Sequence, residues 1–133
     1  MKIFLHSDYL SIQLDILEKI GAAKGTFHIP YENIISVFSE EPHSLKGFKI
    51  AGTNIPKVLE IGTYLAGTQK QFWYIKTRKN NLLILVLKAN FYSKIILEGI
   101  VMFWKRKLVK NLENCKTKNH SKFPNNNNQL AIE

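Results

Sequence analysis

After Gly99 the apolar residues of this chain change their spacing. Val101, Trp104, Leu108, Leu112 and Cys115 recur at intervals of three and four, which places them on one face of a helix. Before Gly99 the dominant interval is two. Leu10, Ile12 and Leu14 alternate with Ser11 and Gln13, the pattern of a half-buried strand. A run of strands closed by a single covering helix satisfies both patterns.

Further strands follow from β-branched and aromatic runs bounded by turn residues. They are expected at Gly25–Pro30, Ile34–Phe38, Val58–Leu65, Gln71–Thr77, Leu82–Leu87 and Lys94–Glu98. Leu82–Leu87 reads LLILVL, apolar at every position, as a strand covered on both faces must be. Turns at Gly67 and at Lys79-Asn80-Asn81 suggest that the three strands they separate form an antiparallel meander. Asp15 and Glu18 have the spacing of a capping box, opening a helical turn from Ile16 to Ile20 that Gly21 ends. Seven strands and one helix, at about 99–115, predict a partly open antiparallel barrel whose mouth the amphipathic helix plugs. The domain is expected over residues 1–115, its core starting near Tyr9. Residues 116–133, rich in Lys and Asn, read as a polar disordered tail.

At 133 residues and 45% apolar, the chain is long and hydrophobic enough for one domain with a real core. A single cysteine, Cys115, excludes an internal disulfide framework and favours a reducing, cytoplasmic setting. The apolar run Ile3-Phe4-Leu5 is far shorter than the roughly 7–15 residues of a secretory leader. Charge is uneven. Residues 1–60 carry six Lys against seven Asp or Glu; residues 61–133 carry thirteen Lys or Arg against three acids. A basic second half suits an anionic surface, or simple solubility.

Catalytic patterns fail one by one. GFKIAGTN has two glycines at phosphate-loop spacing, but Thr53 and Asn54 stand where that loop needs Lys and Ser or Thr. Gly47, Gly52, Gly62 and Gly67 therefore read as punctuation for turns and bends. His6, His28, His43 and His120 lack metal-ligand spacing. Cys115 lies on the buried helix face and His120 in the tail, a poor nucleophile pair. No catalytic residue, metal or cofactor is expected.

Three segments carry a family resemblance: HIPYENIISV, LKGFKIAGTNIPKVLEIGTYLAGTQKQFWYI and LLILVLKANFYSKIIL. In order they supply Ile29-Pro30, Gly52-Thr53, Ile55-Pro56, Gly62-Thr63-Tyr64, Phe72-Trp73 and Phe91-Tyr92. The set, spanning roughly residues 10–98, resembles the bacterial pleckstrin-homology (PH)-like domain family. Lys57 departs from the family's glycine, and Glu98-Gly99 replaces its Asp-Pro before the last helix. The resemblance implies a seven-stranded bent sheet with a C-terminal helix across one end, and a binding or scaffolding module without enzymatic activity. Phosphoinositide-binding relatives use a basic cluster in the first strand–strand loop. Here Lys19 to Gly25 holds two lysines and no arginine, which does not support that route.

The expected function is protein interaction or self-association, through an open sheet edge or the last helix. The alternative is peripheral attachment to an anionic membrane surface, at the inner face, through the basic helix. Its apolar stretch of about ten residues is too short to span a bilayer, which needs about 20. Single-stranded nucleic acid, on Phe72, Trp73 and Tyr74, comes third, because alternation puts Trp73 on the opposite face from the other two. Candidate surface residues are Lys76, Arg78 and Lys79 after the aromatic strand, and Trp104, Lys105, Arg106, Lys107 and Lys110 on the helix.

Overall fold

The computed structural model describes residues 1–15, 25–42, 45–55, 58–99 and 101–122, with backbone alone for 101–103 and 118–122. Nine strands occur among them: β1 Lys2–Leu5, β2 Tyr9–Gln13, β3 Phe27–Pro30, β4 Ile34–Glu40, β5 Phe48–Ile55, β6 Leu59–Ala66, β7 Gln69–Ile75, β8 Leu82–Leu87 and β9 Lys94–Glu98. One helix, α1, runs Val101–Lys122. The protein is mainly β and ends on a helix, as the change of period indicated. The expected capping box and the turn at 16–20 lie outside the described residues.

Two strands go beyond the seven expected. The short run Ile3-Phe4-Leu5 is the heart of β1, which pairs antiparallel with β2 through Ile3–Ile12 and Leu5–Leu10. The core therefore begins at the N-terminus rather than at Tyr9. The segment between Gly47 and Pro56 is a full eight-residue strand, β5. At the other end, α1 continues through Lys122, past the boundary expected near Cys115, so residues 116–122 are helix rather than tail. Lysines are good helix formers and residues 116–122 hold no Gly or Pro to stop the helix; the Thr117 hydroxyl is satisfied by the Glu113 carbonyl at 3.0 Å, one turn back.

The strands form two sheets rather than the single partly open antiparallel barrel expected: β1-β2-β3, and β4-β8-β9-β7-β6-β5. The expected meander is also corrected. β6 and β7 form a hairpin, but β7 and β8 are not neighbours. β9 lies between them, antiparallel to β8 and parallel to β7. Ile95 and Leu97 face the inner cluster and Ile96 the outer one, and all three are buried, as suits an interior strand of a sheet covered on both faces.

The sheet's inner face packs against the small sheet and α1. Phe72, Tyr74, Leu83, Leu85, Ile95 and Leu97 meet Leu10, Ile12, Phe27 and Ile29 there, with Leu108 of the helix. Trp104, Leu112 and Cys115 pack on the same core, so from Trp104 onward the helical stripe read from sequence is the one turned to the core. Asn111 Nδ2 donates to the Tyr31 hydroxyl at 3.3 Å, and that hydroxyl donates to the His6 carbonyl at 2.6 Å, tying α1 to the small sheet.

The outer face is also apolar: Tyr64, Trp73, Ile75, Leu82, Ile84 and Ile96 form a second cluster. Its cover comes from topology. β4 and β5 are the two outermost strands, yet they are consecutive in sequence. The described residues of the link from Glu40 to Phe48 lie over this face. Pro42 is buried within it and Leu45 packs on the outer cluster. Gly47 lies so close to Trp73 that a Cβ would stand 3.0 Å from the indole. This strap is why Trp73 and Tyr64, stacked at 3.9 Å between centroids, are both only 1% exposed.

Candidate functional site

The loop from Ile75 to Leu82 must arch over the end of β9, where Glu98 stands. Its carboxylate fills the arch. Oε1 accepts the Lys76 amide at 2.6 Å and the Arg78 amide at 3.1 Å. Oε2 accepts the Lys79 and Asn80 amides and the Thr77 hydroxyl, each at 3.1 Å. Partial burial works against ionisation, but the amides of Asn80, Lys76 and Arg78 and the Thr77 hydroxyl together outweigh it, and the Glu98 pKa falls below its ordinary value.

Arg78, at φ 58° in the left-handed region, turns its side chain back across the sheet. Nε and Nη2 bind the Glu60 carboxylate at 2.6 and 2.8 Å in a bidentate pair. Nη1 donates to the Pro42 and Leu45 carbonyls of the strap at 3.3 and 3.2 Å. Its Cζ lies 5.6 Å from the Trp73 ring centroid. The hydrogen bond to Glu60, opposed by burial, raises the Arg78 pKa further. The Tyr64 hydroxyl beneath the strap has no partner among the described residues. Burial and the nearby Glu60 charge push its pKa up to about 12, with Arg78 opposing.

The candidate residues thus divide by role. Arg78 is committed to a latch between β6, the strap and Trp73. Lys76 and Lys79 are exposed, though their amides serve Glu98; the Lys76 ammonium lies 5.6 Å from the Tyr74 ring. Trp104 packs on the core, with Lys107 Nζ 5.8 Å from its ring. Lys105 is half-buried; Arg106, Lys107 and Lys110 are exposed. The loop and the start of α1 share the end of the sheet at which Glu98 stands. Phe72, Trp73 and Tyr74 are 0%, 1% and 5% exposed, so they offer no stacking platform for bases. Among the described residues, no group of three His, Cys, Asp or Glu is placed to hold a metal ion, and no helix is long and apolar enough to cross a membrane.

The most exposed apolar strand was not among the sequence candidates. On β5, an outermost strand, Phe48 is 80% exposed, Ile50 51% and Ile55 50%. Cross-strand pairing puts Phe48 opposite Leu65 and Ile55 opposite Leu59, with Ile50 left over where the register shifts between Lys49 and Ala51. At Gly52 and Gly62, paired across the two strands with φ 123° and 137°, a Cβ on either would stand 2.1–2.2 Å from a carbonyl oxygen of the opposite strand. The available signal was the apolar spacing of Phe48, Ile50 and Ile55 around glycine, which read as punctuation.

Comparison with family models, curated proteins and solved structures finds no match for the chain.

Proposed function

We propose that this protein is a non-enzymatic binding module of the PH-like kind, working by protein–protein contact along β5. The resemblance over residues 10–98 and a mainly β fold ending on a helix support the class. The parallel β7–β9 pair departs from the antiparallel sheet that the resemblance implies. One observation carries the choice of surface: β5 is an eight-residue edge strand with three large apolar side chains half or more exposed. An extended segment of a partner, or of a second copy, would pair with the free backbone edge while its side chains cover Phe48 and Ile55. The irregularity at Ile50 bends the edge and shortens the stretch open to pairing.

Light scattering across a concentration series, together with cross-linking and pull-down, tests this reading. Association or partner recovery is expected for the parent and should be lost in Ile55→Lys. A strict monomer that recovers nothing, or recovery indifferent to Ile55→Lys, would remove β5 as the working surface.

A further inference from the structure

We propose that the end of the large sheet opposite Glu98 docks on an anionic lipid bilayer, with Phe91 entering the interface among lysines. The register gathers this end. The β6–β7 turn, the β8–β9 turn and the start of β5 all lie there, since Phe48 and Lys70 both pair with Leu65, and Lys94 pairs with Gln71. Ser93 donates its amide to the Lys70 carbonyl at 2.8 Å, joining the two turns.

Phe91 is held outward by its neighbour. Tyr92 is buried at 3% and hydrogen-bonds Thr63 Oγ1 at 2.8 Å, while Ala89 takes a left-handed φ of 52° and Asn90 Oδ1 accepts the Tyr92 amide at 3.1 Å. Phe91 is left 63% exposed at the tip, with Lys70 Nζ 4.6 Å from its ring centroid. Phe48, 80% exposed, lies on the other side of Lys70, two strand spacings or about 10 Å from β7. Lys46, Lys49 and Lys88 are exposed and Lys94 half-buried around them.

Charge favours an anionic surface. Between Glu41 and Glu98 the sequence holds one acid, Glu60, and it is paired with Arg78. Glu32 lies next to Asn33, whose carbonyl accepts the Lys88 amide at 2.8 Å. Protruding phenylalanines flanked by lysines suit a bilayer, which receives an apolar tip without a preformed pocket. This surface differs from the basic helix that the sequence offered to a membrane, on which Trp104, Leu108 and Leu112 pack against the core. It also goes beyond the β5 reading, because Ile55 lies at the opposite end of β5.

The experiment is co-sedimentation of the full chain with phosphatidylcholine vesicles, with and without about one-third phosphatidylglycerol, at low and high salt. Binding is expected only to the anionic vesicles and should weaken with salt. Phe91→Ala is expected to weaken it about tenfold, and Lys70→Gln or Lys94→Gln about fivefold each, with unchanged thermal midpoints. Ile55→Lys and the pair Arg106→Gln, Lys110→Gln should leave it intact. Absence of binding to anionic vesicles at low salt overturns the proposal. So does binding that survives Phe91→Ala and Lys70→Gln, and so does loss in the helix pair alone, which would assign adsorption to α1. Loss of vesicle binding with β5-dependent association retained would overturn this inference and leave the β5 reading standing.

Discussion

Replacing Glu98 by Gln keeps size and shape but removes the charge that the β7–β8 loop encloses. The parent carboxylate accepts two amides on one oxygen and two amides plus a hydroxyl on the other. A glutamine can turn its carbonyl to only one of these sets, so its NH₂ must face at least two amide donors. A hydrogen bond to a charged group contributes about 1.5–3 kcal/mol. The loop is exposed, so water replaces part of each lost bond, and the lower end applies. Two or three weakened bonds then cost about 3–4.5 kcal/mol, a fall in Tm of about 12–18 °C for a domain of this size. The pH dependence supplies the sharper test. The folded pKa of Glu98 is lowered, so its contribution is fully present above the unfolded value of about 4.3 and is lost as pH falls through the folded pKa. Urea midpoints of parent and variant, measured from neutral to strongly acid pH, should differ most at neutral pH and converge in acid. A gap that stays constant with pH, or no gap at neutral pH, refutes the account of Glu98 as a charged plug.

Other substitutions separate the remaining devices. Arg78→Lys keeps the charge but not the fork that holds Glu60 and the strap, and should cost about 2 kcal/mol, with a red shift of Trp73 emission as the strap loosens; stability equal to the parent would show that the latch holds nothing. Tyr64→Phe removes a hydroxyl without a partner and should be neutral or stabilising by up to about 1 kcal/mol in urea unfolding, whereas a clear loss would reveal a bond to that oxygen. In the parent, the Tyr64 phenol should titrate near 12 by ultraviolet absorbance. Its raised pKa makes stability fall as pH climbs past the unfolded value of about 10. Gly62→Ala drives a Cβ to 2.2 Å from the Ala51 carbonyl and should cost about 3 kcal/mol or more, with hydrogen-exchange protection lost first in β5.

Strand positions were largely legible because apolar and β-branched runs are bounded by turn residues. β8 and β9 have the bounds that apolar runs predicted, and Phe72 and Tyr74 do face away from Trp73. Partnership between strands was not legible. Periodicity reports which face of a strand is covered and says nothing of its neighbours, so β8 could be seen as covered on both faces without β9 being placed between it and β7. β1 escaped because its apolar run is short and its burial only partial. The site residues were picked by charge alone. Glu98 had appeared only as the end of an expected strand and, with Gly99, as a departure from the family's Asp-Pro, and Arg78 as one cation among three. Both roles depend on residues about 20 positions away in sequence, which no local pattern encodes. β5 was missed for the opposite reason: its apolar side chains lie outside the core, and exposure cannot be read from hydrophobicity.

The place of β9 has a consequence for how the chain comes to be folded. During synthesis the two margins of the large sheet emerge first, and the strand that joins its halves emerges last. Until residue 98 is made, β7 and β8 have no shared ladder, and the pieces on either side are held together chiefly by the strap and the inner core. Completion is therefore a vectorial event: a late strand enters a waiting slot and its terminal carboxylate locks the loop above it. A nascent chain halted at residue 93 is expected to show no cooperative protection in β7, and pulse proteolysis of stalled chains should find protection gained abruptly once Glu98 has cleared the ribosome.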